Sequence, residues 1–169
     1  SSLRVGKNHS LEDKKAYDGR IHAVNFTLNT DDGLSSKQYA KADIILIGLS
    51  RSGKTPTALY LAMQFGILAA NYPVTEEDLE SYELPSWAIQ FKSKLFGLQI
   101  DPMRLHEIRT ERRAQSRYAS LEQCQLEVAQ INKFYKREDI PTIDTTTKSI
   151  EEIATKILAK TRLKRFQYG

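Results

Sequence analysis

The sequence lacks the features that mark disulfide-bonded, metal-clustered and membrane-spanning proteins. Cys124 is the single cysteine in 169 residues, and one thiol can form neither an internal disulfide nor a cysteine metal cluster. No apolar run approaches the ~20 residues that a membrane span requires, and no signal-peptide pattern opens the chain. These absences predict a cytoplasmic protein that has no membrane partner.

A strong net charge is also missing. The 25 basic and 21 acidic residues leave a net charge of +4, which suits a polyphosphate ligand but does not require nucleic acid. The three histidines show no metal-ligand spacing. Because 169 residues fit one domain of ordinary size rather than two, we expect a single soluble domain without a nucleic-acid partner.

Strand and helix patterns alternate after the first 40 residues. The run at 43–47 is apolar and rich in β-branched residues, as expected for a parallel strand buried on both faces. The segment 57–65 is apolar on nearly all sides and predicts a buried helix that ends at Gly66. Further strands are predicted at 67–74, 94–100 and 140–143, and further helices after N-caps at Asp101, Ser120 and Ser149. This alternation predicts an α/β three-layer fold of the P-loop kinase type with a mostly parallel sheet.

A phosphate-binding motif lies between the first predicted strand and the buried helix. Residues 48–55 match the P-loop pattern G-x-x-x-x-G-K-[ST] without a substitution. Gly48 and Gly53 allow backbone angles that a Cβ would forbid, so that successive N–H groups converge on an anion. Lys54 is expected to reach the outer phosphates, and the Thr55 hydroxyl to ligate Mg²⁺. The predicted nucleotide-binding residues are Gly48, Leu49, Ser50, Arg51, Ser52, Gly53, Lys54 and Thr55.

Phosphoryl transfer also needs a carboxylate that accepts a hydroxyl proton or holds the metal. Asp31 and Asp32 form an acidic turn upstream of the P-loop strand, for which ordinary turn chemistry is an equal alternative. Asp101 and Asp144 each follow a predicted strand, but a proline after Asp101 favours N-capping there. Arg51 lies within the P-loop itself and is the best phosphate contact among the arginines.

Four more arginines crowd one predicted helical stretch, and three of them are spaced four apart and so share a face. One interpretation is a solvated helix surface that pairs with neighbouring glutamates. The other is a lid or substrate clamp, because guanidinium forks match phosphate oxygens. The sequence leaves both open for Arg109, Arg112, Arg113 and Arg117.

The segment Ile47–Thr57 resembles the P-loop of the phosphoenolpyruvate synthetase regulatory proteins, which are relatives of the pyruvate, phosphate dikinase regulatory proteins. The likeness runs from about residue 9 to the end of the chain. Members of this family carry a further N-terminal region, and this chain begins Ser-Ser-Leu, so we expect it to be trimmed. The other similar motifs are Arg20-Ile21, Thr30–Gly33, Ala69–Pro73, Lys94–Leu98, Ile100–Pro102, Glu111–Arg113, Ser116–Ser120 and Ser149–Ala154.

The resemblance implies a bifunctional enzyme. Members are ADP-dependent protein kinases that modify a threonine of phosphoenolpyruvate synthase, and they remove that phosphate with inorganic phosphate, releasing pyrophosphate. By this analogy, residues 1–40 lead through the acidic turn at 31–33 into a phosphotransferase domain at 41–169. Lys54 and Arg51 would contact the phosphates, and Asp32 or Asp31 would carry the threonine proton in both directions.

Two other functions fit the same motif. A small-molecule kinase of the shikimate or nucleoside-monophosphate type shares the P-loop and an arginine-bearing lid. A nucleotide sensor without catalysis would use the P-loop only to control a partner. The oligomeric state is open as well, with a homodimer as one possibility.

Overall fold

The computed structural model describes residues 2–30 and 36–161. None of the helices in these ranges is both long and apolar enough to cross a membrane. The helices are α1 (Ser2–Thr30), α2 (Ser36–Lys41), α3 (Lys54–Phe65), α4 (Glu76–Ser81), α5 (Ser86–Ile89), α6 (Pro102–Arg112), α7 (Leu121–Arg137) and α8 (Ile150–Thr161), with a 3₁₀ turn at Lys92–Lys94. The strands are β1 (Ile44–Gly48), β2 (Ala69–Pro73), β3 (Leu95–Gln99) and β4 (Thr142–Asp144).

The sheet is parallel throughout and has the strand order β2-β1-β3-β4. Strand β1 lies inside it, and Ile45 stands opposite Ala70 on one side and Leu95 on the other. The chain thus continues from β1 to a neighbour on one side and then crosses to the other side. Ligands of such sheets bind outside the carboxyl end of the strand at which the order reverses, and here the loop after β1 occupies that position.

Helices cover both faces of the sheet. Side chains alternate along β1, so Ile45 and Ile47 face the core formed with α2 and α4 to α7. Ile44 and Leu46 face the opposite core, which is formed with α3 and α8. The burial of both faces explains the continuous apolar run at 43–47, and the predicted three-layer α/β fold is confirmed.

The long helix α1 was not expected from the polar sequence before residue 41. Its C-terminal half packs against α3 and β2, where Ala23 and Phe26 are buried. The buried hydroxyl of Thr27 donates a hydrogen bond of 2.8 Å to the carbonyl oxygen of Ala69 in β2. The helix therefore covers the outer edge of the sheet. The predicted acidic turn at 31–33 lies outside the described residues.

The helix ends follow the local sequence signals. Gly66 adopts a left-handed conformation with φ 65° and ends α3 as predicted. The side chains of Asp101, Ser120 and Ser149 each accept a hydrogen bond from a backbone N–H in the first turn of the helix that follows. Ser149 also shares the reciprocal contact of a capping box with Glu152.

Candidate active site

The loop at 48–55 begins with the last residue of β1 and ends in the first turn of α3. Gly53 precedes the helix with φ 101°, and Arg51 is also left-handed with φ 72°. The backbone N–H of Ser52 donates to the carbonyl oxygen of Leu49 at 3.0 Å, which closes a tight turn. The loop therefore curls at a helix N-terminus, where backbone N–H groups and the helix dipole favour an anion.

Gly48 is required for space rather than for its backbone angle. We predicted that both glycines adopt a backbone conformation that a Cβ would forbid. This prediction holds for Gly53, but it is wrong for Gly48, whose φ is not in the left-handed region. A Cβ on Gly48 would stand 2.6 Å from Ser52 Oγ and 3.4 Å from the Leu98 side chain. The absence of a side chain at this position lets the loop fold back onto the end of its own strand.

Two polar side chains in the loop fit a phosphate ligand. Lys54 Nζ lies against the loop backbone and donates to the carbonyl oxygens of Gly48 and Leu49 at 2.7 and 2.9 Å. Ser52 Oγ is buried and has no hydrogen-bond partner among the described residues. A buried hydroxyl of this kind calls for a partner, and a phosphate oxygen supplies one beside the ammonium group.

A cavity of about 340 Å³ opens beside the loop and is lined by residues from the end of β1, the start of α3 and the carboxyl end of β2. Its lining brings together five of the predicted site residues, Gly48, Ser50, Arg51, Lys54 and Thr55, with Asn71, Pro73 and Val74. Sequence reasoning did not assign a role to Asn71, although an amide within an otherwise apolar strand was a usable signal. Of the three remaining predicted loop residues, Leu49 and Ser52 are buried, and Gly53 is half-buried and does not line this cavity.

The residues of this cavity also suit Mg²⁺ held largely by phosphate oxygens. Within residues 2–30 and 36–161, no group of three acidic, histidine or cysteine side chains is placed to bind a metal. Thr55 presents a hydroxyl at the cavity instead. Mg²⁺ commonly takes few protein ligands and completes its shell with water and substrate phosphates, so Thr55 stays the predicted protein ligand.

Arg109 is a buried residue of α6 that binds the backbone of the phosphate loop through hydrogen bonds. Its side chain is fully buried, and Nε and Nη2 donate to the carbonyl oxygen of Ser50 at 3.3 and 3.2 Å. The other edge of the guanidinium binds both carboxylate oxygens of Glu127 in α7, at 3.0 and 3.1 Å. It also donates to the carbonyl oxygen of Tyr118 and stacks against the ring of the same residue. One side chain thus ties the P-loop to α6, α7 and the loop between them.

Glu127 stabilises the positive charge of the Arg109 guanidinium. Burial by itself lowers the pKa of the guanidinium, but the hydrogen bonds and negative charge of Glu127 outweigh that effect and raise the pKa. The Arg109 side chain therefore keeps its positive charge although it is buried. Neither a solvated helix surface nor a substrate clamp describes Arg109, so both interpretations are wrong for this residue.

The other three arginines do not continue a helical face. Helix α6 ends at Arg112, and the next residue leaves the helix with φ −141°. The predicted shared face of Arg113 and Arg117 with Arg109 is therefore wrong. Instead, the exposed Arg112 and Arg113 line a second cavity together with Ser50, Arg51 and Tyr118.

The candidate carboxylates of the described region serve local structure. Asp101 caps α6, as expected. Asp144 accepts hydrogen bonds from the hydroxyl and backbone N–H of Thr146 at 2.6 and 2.9 Å, and the hydroxyl contact lowers the pKa of Asp144 most. Asp31 and Asp32 lie outside the described residues, so their role as proton acceptor stays a prediction.

Comparison with known proteins places this geometry in a family context. The model of a family described as kinase/pyrophosphorylase matches residues 1–158. The chain is 57% identical over 165 residues to a Marinobacter nauticus protein named "Putative phosphoenolpyruvate synthase regulatory protein". Proteins of the same name from Legionella pneumophila and Aeromonas salmonicida are 56% and 54% identical. Each match covers 98% of this chain and 61% of the relative, so the chain spans about three-fifths of their length.

Proposed function

Since the chain belongs to the kinase/pyrophosphorylase family, we propose that it is the nucleotide-binding part of a bifunctional enzyme that regulates phosphoenolpyruvate synthase. One observation carries the proposal: the loop at 48–55 curls at the start of α3 with Lys54 against it. The names of the relatives indicate the regulated enzyme. ADP serves as the phosphoryl donor, and inorganic phosphate serves as the acceptor in the reverse direction.

In the kinase direction, a threonine hydroxyl of the target attacks the β-phosphorus of ADP. The bond between the β-phosphorus and the oxygen that bridges it to the α-phosphorus breaks. AMP leaves, and phosphothreonine forms. The loop N–H groups, Lys54 and Arg51 neutralise the charge on the transferred group, which is the main requirement of phosphoryl transfer. Asp32 or Asp31 accepts the hydroxyl proton.

In the pyrophosphorylase direction, inorganic phosphate takes the position of the β-phosphate in the same loop. One of its oxygens attacks the phosphorus of phosphothreonine, the Oγ–P bond breaks, and pyrophosphate forms. The carboxylate that accepted the proton returns it to the threonine oxygen. The loop at 48–55 therefore serves both activities, because each of them requires one phosphate group to be bound by backbone N–H groups.

Mg²⁺ fits the same arrangement through Thr55. When bound, the ion supplies positive charge to the phosphate oxygens and holds them in a fixed orientation. The remaining roles belong to the chain itself. Lys54 acts as a point charge, the Ser52 hydroxyl donates to a phosphate oxygen when the ligand is bound, and Arg109 keeps Ser50 in place.

The proposal is tested with ADP that carries a radioactive β-phosphate, mixed with phosphoenolpyruvate synthase and the chain. We expect label on a threonine of the synthase, unlabelled AMP, and release of the label as pyrophosphate after phosphate is added. Label on a small alcohol alone would favour the small-molecule kinase. ADP binding without any transfer would favour the sensor. A Lys54→Ala sample shows how much transfer depends on the loop.

A further inference from the structure

The second cavity beside the P-loop gives a site for the other phosphoryl group of the reaction. We propose that Arg51, Arg112 and Arg113 bind the phosphate of the phosphothreonine on the target protein, an inference that rests on the proposed function. The cavity has a volume of about 400 Å³ and is completed by Ser50 and Tyr118. Ser50 and Arg51 also line the nucleotide cavity, so the two cavities meet at the loop.

The three arginines are available for an anionic ligand. None of the salt bridges among residues 2–30 and 36–161 involves Arg51, Arg112 or Arg113. All three side chains belong to exposed residues that border one cavity. Three guanidinium groups without an acidic partner there attract a multiply charged, oxygen-rich ligand, and their planar donors match a phosphoryl group in particular.

The cavity is rigidly attached to the phosphate loop. The hydroxyls of Ser50 and Tyr118 form a hydrogen bond of 2.6 Å, and Arg109 holds the carbonyl oxygens of both residues. Arg112 follows Arg109 by three residues in the same helix, so its position is fixed relative to that anchor. Binding here therefore requires little ordering of the backbone, which favours affinity.

The reverse reaction itself requires such a site. Its two reactants, inorganic phosphate and phosphothreonine, are both anions that carry more than one negative charge on average at neutral pH. The P-loop and Lys54 neutralise one of them, and the second must approach within bonding distance. Like charges repel strongly when water is excluded. Cations around the phosphothreonine weaken that repulsion, and the second cavity supplies them next to the P-loop.

The test compares two double variants that lose the same charge. Arg112→Gln with Arg113→Gln removes two of the three cavity cations and leaves Arg51 of the P-loop in place. Arg104→Gln with Arg137→Gln removes two exposed arginines that pair elsewhere. The KM for phosphorylated synthase in the phosphate-dependent reaction should rise about 10- to 100-fold in the first variant only, because hydrogen bonds to a charged group are lost. The Kd for ADP and the KM for inorganic phosphate should stay within about twofold.

A binding assay separates this inference from the proposed function, because it needs no turnover. A fluorescent peptide from the target carrying phosphothreonine should bind the wild-type chain and bind the cavity variant at least about tenfold more weakly. Equal binding by both proteins would overturn the inference. The inference would also be overturned if the cavity variant raised the KM for inorganic phosphate or weakened ADP binding and left the KM for phosphorylated synthase unchanged. Failure of the labelled-ADP transfer would instead overturn the proposed function.

Discussion

The guanidinium of Arg109 donates two hydrogen bonds to the carbonyl oxygen of Ser50 from a position without solvent exposure. The two residues are 59 positions apart in the chain. Glu127 binds the opposite edge of the same guanidinium. The conformation of the phosphate loop thus depends on an ion pair that lies in the helical layer, away from the ligand.

Replacing Arg109 with alanine should lower the free energy of unfolding by about 3–5 kcal/mol, because Glu127, whose side chain is only 16% exposed, would lose its cationic partner. Urea denaturation measures this loss. Arg104→Ala, which breaks an exposed ion pair on the same helix, should cost no more than about 1 kcal/mol. Similar losses of unfolding free energy in the two variants would show that the Arg109–Glu127 pair stabilises the protein no more than an exposed ion pair does.

Gly48→Ala should destabilise the fold by about 1–3 kcal/mol, because the new methyl group would stand 2.6 Å from Ser52 Oγ. It should also weaken ADP binding, since the loop must shift. The matched control is Gly19→Ala in α1, where nothing lies within 4 Å of the added carbon. That change should stabilise the protein by about 0.5–1 kcal/mol through helix propensity. Equal effects of the two substitutions would refute the packing argument.

Asp144 should contribute an acid-sensitive part of the stability. Hydrogen bonds from Thr146 hold its pKa below the ordinary value of 3.8, so the folded state binds this proton less readily than the unfolded state does. The contribution is present above about pH 4 and is lost as the pH falls through the folded-state pKa. Asp144→Asn should flatten the dependence of unfolding free energy on pH in that acidic window. Thr146→Val should flatten it as well, and an unchanged slope in both variants would contradict the assignment.

Asp32→Asn should slow both the kinase and the pyrophosphorylase reactions by at least ~10²-fold if Asp32 is the proton carrier, and Asp31→Asn should do so if Asp31 is. Steady-state rates in both directions measure this. Asp101→Asn serves as a control, because asparagine still caps a helix and the rates should persist. A variant that loses one activity and retains the other would exclude a shared base.

Local signals predicted most of the sheet and the phosphate loop. The apolar run at 43–47, Gly66 and the caps at Asp101, Ser120 and Ser149 act within a few residues of where they stand in the chain. Their physical causes, burial on both faces and hydrogen bonds to helix ends, are therefore readable from neighbours. The same holds for the order of strand, loop and helix around the P-loop.

The parts that sequence reasoning missed depend on distant contacts. Helix α1 contains Gly19 and many polar residues, and it is stabilised by packing of its C-terminal half, including Thr27 on β2. The buried pairing of Arg109 joins residues 18 and 59 positions apart. Spacing within one helix suggested a shared arginine face, but it could not reveal that α6 ends at Arg112 or that Glu127 would lie opposite.

The most direct test of the account is a titration of the ¹⁵N-labelled chain with pyrophosphate, followed through the backbone amide signals. The largest shifts should fall on the amides of residues 48–55, and Lys54→Ala should weaken binding at least about tenfold without unfolding the protein. Shifts located elsewhere, or a Kd that Lys54→Ala leaves unchanged, would contradict an anion held by this loop.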